Sequence, residues 1–117
     1  MKPTMEPSDL IGEWRGKAPN GKNVTLVFDA YGSVLWTVES EQYEVEPWAR
    51  YVVRTTWPYW EIDIFDFARL AIRDITFLGI LQPLAKNEFK MQGTPSNHGG
   101  RPIDFDGEAI VFAKDNA

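Results

Sequence analysis

The sequence predicts an all-β domain, an eight-stranded up-and-down antiparallel β-barrel, and three observations lead there. The chain has 117 residues, which suits one core and needs no covalent staple. Its aromatic share is 14% and includes five tryptophans, and aromatic residues favour the half-buried pleated surface of strands. Short runs of alternating apolar and polar residues recur between turn signals along most of the chain. Joined in sequence as an open sheet, eight such strands would leave two long edges, and closure removes both.

The runs follow in order. Residues 1–9 carry prolines and acids and read as a flexible tail, with the barrel domain spanning 10–117. Gly12-Glu13-Trp14-Arg15-Gly16-Lys17 is the first run, and Asn20-Gly21 after it is a hairpin signal, because both residues tolerate positive φ. Val24, Leu26 and Phe28 alternate with Thr25, Val27 and Asp29, and Asp29-Ala30-Tyr31-Gly32 reads as a turn. Val34, Trp36 and Val38 share one face of the third run. Glu39 to Pro47 holds four glutamates and reads as an exposed loop or strand edge. The fourth run, Ala49 to Thr56, sets Tyr51 and Val53 opposite Arg50, Val52 and Arg54, and Trp57-Pro58 breaks it.

In the fifth run, Tyr59 to Phe65, Trp60, Ile62 and Ile64 alternate with Glu61 and Asp63. Residues 66–74 read as a loop with one helical turn. Ile75 to Leu81 is nearly all apolar, as in a strand covered on both faces. Lys86-Asn87 marks a tight turn before Phe89 and Met91. The glycine- and proline-rich stretch 93–107 reads as a long loop, and the last strand runs from Glu108 to Lys114.

Composition excludes several function classes. Aspartate and glutamate outnumber lysine and arginine by 17 to 12, a net charge of −5. That balance opposes nucleic-acid binding, which needs a basic face, and disfavours an anionic membrane surface. No cysteine is present, so disulfides and thiolate metal sites are excluded and a cytoplasmic, reducing setting is expected. No apolar stretch is long enough for a membrane-spanning helix.

Gly12-Glu13-Trp14 resembles the Gly-x-Trp signature of the calycin superfamily, the lipocalins and their relatives. Further segments come in a matching order: Trp60-Glu61-Ile62-Asp63-Ile64, Phe77-Leu78-Gly79-Ile80, Asn87-Glu88-Phe89 and Arg101-Pro102-Ile103-Asp104-Phe105. Together they resemble small bacterial lipocalin-like domains of unknown function. The resemblance covers residues 10 to 114 and departs from the pattern at Leu81, where a tyrosine is expected. It implies a barrel whose tryptophan plugs one end beneath a basic residue of the last strand, the position held here by Lys114.

Strand parity turns Trp36, Tyr51, Trp60, Phe77 and Phe89 inward, and these are the candidate ligand-binding residues for a small apolar or amphipathic molecule. Arg50, Arg54 or Tyr51 would orient its polar head. The competing reading is a filled core. Trp57 and Tyr59 form either a binding lip or a cap over one barrel end. His98, the single histidine, lies in a polar loop with no triad partner at recognisable spacing, so no catalytic residue and no enzyme activity are expected. Asp104 to Glu108 lacks the spacing of a calcium loop, so no metal or cofactor is expected either. Asp63 and Asp66 form a carboxylate pair whose first member faces outward. The alternative function is an acidic protein-interaction or inhibitor module, whose surface would hold Glu39 to Glu46 and an exposed Trp48 or Trp57.

Overall fold

The computed structural model describes residues 5–38, 48–67 and 72–114. Alternating apolar positions build eight strands: β1 (Gly12–Lys17), β2 (Asn23–Phe28), β3 (Ser33–Val38), β4 (Ala49–Arg54), β5 (Trp60–Phe65), β6 (Phe77–Ala85), β7 (Glu88–Pro95) and β8 (Ile110–Lys114). Each pairs antiparallel with the next, and β8 pairs back onto β1, so the sheet closes into an up-and-down barrel. Registers such as Trp14 with Leu26, Leu26 with Trp36, and Ile62 with Gly79 carry the inward face from strand to strand. The loop expected at 39–47 and most of the helical turn expected within 66–74 lie outside the described residues.

Sequential antiparallel pairing sends odd-numbered strands one way and even-numbered strands the other. The starts of β1, β3, β5 and β7 therefore gather at one end, together with the ends of the even strands. Trp14 closes that end. Its ring is buried, its Nε1 donates to the Leu10 carbonyl at 2.7 Å, and Phe89 meets it edge-on at 4.7 Å while stacking on Phe112 at 5.3 Å. The chain entering β1 is docked, not loose: Pro7–Leu10 forms a 3-10 turn, and Met5 and Leu10 join the same buried cluster as Trp14. Burying those two side chains ties a segment that its prolines and acids alone read as a tail.

Strand ends shift where pairing outweighs local composition. β6 runs on through Pro83 to Ala85, past the expected end at Leu81, and β7 continues through Gly93 to Pro95. Gly79 and Gly93 are cross-strand partners, and a Cβ at Gly93 would stand 2.2 Å from the Phe77 ring. The two glycines leave the space that this ring fills, so glycine here marks close packing and not a loop. β8 starts at Ile110, two residues later than expected, because Asp106 to Ala109 turns against the outer wall.

Candidate functional site

All five sequence-predicted residues face inward, but they do not surround one space. Trp60 opens β5 and Phe89 follows the first residue of β7, so both lie toward the end that Trp14 closes. Tyr51 lies between the ends, edge-on to Phe28 at 4.8 Å, and its hydroxyl donates to the Asp29 carbonyl at 3.0 Å. Burial, with the Asp29 carboxylate nearby, pushes the Tyr51 phenol above its usual range, so it stays a donor. Trp36, near the end of β3, and Phe77, the first residue of β6, lie at the opposite end.

Trp36 and Phe77 meet edge to face, with ring centroids 4.9 Å apart and planes at 87°. Their strands are not neighbours in the sheet, so this contact crosses the barrel. Level with the two rings stand their strand partners Leu26 and Ile64, and below them the interior is filled by Phe28, Ile62, Leu81 and Phe112, all fully buried. Trp36 and Phe77 are only half-buried, as are Val38 and Ile110, which also face inward at this end. The result is a half-buried apolar layer at this end above a packed core.

No charged side chain is buried among the described residues, and neither arginine expected to reach a bound head group does so. Arg50 is exposed, and Arg54 lies on the outer wall. Arg54 donates to Glu61 at 3.0 Å and to Asp63 at 2.9 Å. Arg101, from the β7–β8 connection, reaches the same wall. Its Nη1 donates to the Gly79 carbonyl at 2.9 Å, and its Nη2 stands 2.7 Å from Asp63 Oδ1 as an ion pair out of hydrogen-bond alignment. Burial pushes the Asp63 carboxyl up, but the two arginines outweigh it and hold the group below the usual carboxylate range. A carboxylate so held is a poor general acid.

A concavity lies outside the barrel. The β7–β8 connection returns across the outer face of β5 and β6 and faces the β4–β5 hairpin, enclosing a groove of about 500 Å³. Trp57 and Ile103 flank it, 92% and 93% exposed, with Pro58 and Pro102 beside them. Trp57 therefore caps nothing. Tyr59 ties the groove's two sides together, donating to Asp104 at 2.7 Å and meeting Phe105 edge-on at 4.8 Å. Sequence reasoning found Trp57 and Tyr59 but missed Arg101 and Ile103 as their partners, since no local spacing shows where a long connection folds back.

His98 is exposed, its backbone N–H bonded to the Pro95 carbonyl in a turn. Among the described residues no cluster of histidine, aspartate and glutamate converges as a metal site, and no helix is long and apolar enough to cross a membrane. Comparison with protein-family models, curated proteins and solved structures finds no match to this chain.

Proposed function

We propose that this protein is a non-enzymatic binding barrel that takes a small, uncharged apolar ligand at the mouth opposite Trp14. The observation that carries the reading is the half-burial of Trp36 and Phe77, two inward-facing rings that meet across the barrel. Apolar surface held facing a mouth is incompletely removed from water, and a ligand completes its burial. Each Å² so covered contributes about 25 cal/mol before the entropy cost of association.

Two features narrow the ligand. The mouth offers no described buried charge, so a carboxylate or ammonium head would stay in solvent or be excluded. The packed layer beneath the rings limits depth, which favours a compact aromatic or alicyclic molecule over a long acyl chain. Trp60 and Phe89, placed toward the plugged end, belong to the core in this reading, and Tyr51 belongs to the wall. The resemblance to small bacterial lipocalin-like domains bears on the barrel fold alone, and a cysteine-free composition suits a cytoplasmic setting.

The test is a titration with a neutral naphthylamine probe, read by energy transfer from tryptophan. Saturable binding is expected, weakened at least tenfold in Trp36→Leu and Phe77→Leu and unchanged in Trp57→Ala. Binding insensitive to both mouth substitutions, or no saturable signal, would overturn the proposal.

A further inference from the structure

The groove outside the barrel is a separate site, and its chemistry selects a different partner. Its charged and hydroxyl groups are already engaged, and the Trp57 indole N–H is left as an exposed donor. Arg101 is held by the Gly79 carbonyl and Asp63, with Glu61 Oε2 at 3.6 Å, and Glu61 also accepts from Arg54. The Tyr59 hydroxyl is committed to Asp104. Glu61 and Arg101 of the lining, and Asp63 and Arg54 beside them, cancel in charge. Beside these polar groups the groove presents Trp57, Pro58, Pro102 and Ile103, above a floor that includes buried Ile80.

A ligand there gains little from hydrogen bonds and much from packing against flat rings. An extended segment rich in proline meets both conditions. Proline has no backbone N–H to satisfy, and the polyproline II helix is already ordered, so little chain entropy is lost on docking. Exposed tryptophan is also the side chain most enriched among residues that dominate binding energy.

Charge adds a direction. Asp104, Asp106 and Glu108 follow Ile103 within five residues, and none forms an ion pair among the described residues. Lys90 sits over the Phe105 ring between them, 4.7 Å from its centroid. The segment that follows the lining at Ile103 thus carries three acids against one lysine, an acidic shoulder beside an electrically balanced groove.

We infer that the groove between Trp57 and Ile103 docks a proline-rich segment of a partner protein in the polyproline II conformation, with a flanking lysine or arginine on the Asp104–Glu108 shoulder. The site is independent of the barrel mouth.

Isothermal titration of the full chain with a synthetic decapeptide of alternating prolines and one terminal arginine tests this. Saturable binding is expected, weakened at least tenfold in Trp57→Ala and in Ile103→Ser. Replacing the peptide's arginine by glutamine should weaken it several-fold, and raising salt should remove that difference. Both substituted residues are over 90% exposed, so the fold should not depend on them, and circular dichroism checks this. Trp36→Leu should leave the peptide affinity unchanged. Failure to bind, or binding indifferent to Trp57→Ala, overturns the inference. So does a concentration-dependent dimer in sedimentation that Trp57→Ala abolishes, because the occupant would then be a second copy of this chain.

Discussion

Lys114 Nζ lies 5.3 Å from the centroid of the Trp14 ring and donates to the Asp9 carbonyl at 3.0 Å. One side chain of the last strand thus covers the plug of the first strand and holds the segment that precedes it. Register places Lys114 directly opposite Trp14, so barrel closure itself creates the contact.

Lys114→Met keeps most of the aliphatic stem and removes the charge. The loss of a cation–π contact and a charge-assisted hydrogen bond is expected to cost about 1–3 kcal/mol. Urea unfolding measures it, with the slope unchanged if the denatured state is unaffected. Unaltered stability would show that the ammonium contributes nothing beyond its stem.

The Phe77 ring occupies the space a side chain at Gly93 would need. Gly93→Ala is expected to destabilise the fold by about 1–3 kcal/mol through overpacking. Phe77→Leu should relieve part of that clash, so the double variant should lose less than the sum of the single losses. The same pair tests the mouth: Gly93→Ala, by displacing the ring, should also weaken binding of the neutral probe.

Asp63 sets a pH dependence. Its folded pKa lies below its unfolded value near 3.9, so its contribution to stability is present above that pH and lost as pH falls through the folded value. Acid unfolding is therefore expected to steepen below about pH 4. Asp63→Asn should be less stable than wild type at pH 7 and less sensitive to acid. Equal acid slopes in the two proteins would remove Asp63 from the account.

Tyr59 and Asp104 latch the groove. The hydrogen bond from Tyr59, with one from the Phe105 backbone, holds the Asp104 carboxyl below its usual range. The same bond to Asp104 raises the Tyr59 phenol. The latch loosens as pH falls through the depressed Asp104 value, and again as pH rises through the raised Tyr59 value, above about 10. Protection of the Phe105 and Asp106 amides, taken relative to their intrinsic exchange rates, should be greatest between these limits. Tyr59→Phe should lower that protection across the interval, and unchanged protection would show that packing against Phe105 holds the connection alone.

The sequence by itself determined the strands and their faces. Alternation in Val24 to Phe28 and Trp60 to Ile64 is decided within each strand, because successive side chains must point to opposite sides of a sheet. The number of strands then favoured closure. The Trp14 plug was also legible, since the Gly12-Glu13-Trp14 resemblance names a basic partner that register supplies in Lys114.

Height along the barrel was decided only by the tertiary structure. Parity says that Trp36, Tyr51, Trp60, Phe77 and Phe89 face inward, and it cannot say how far up each stands. That depends on strand direction and on the register around the closed sheet. Trp36 and Phe77 therefore meet at one end, while Trp60 and Phe89 lie toward the other. The groove is hidden for a related reason. Arg101 and Ile103 stand about 40 residues beyond Trp57 and Glu61 in the chain. Only the folding of the β7–β8 connection across the outer wall brings them together, and no local pattern of residues records that return.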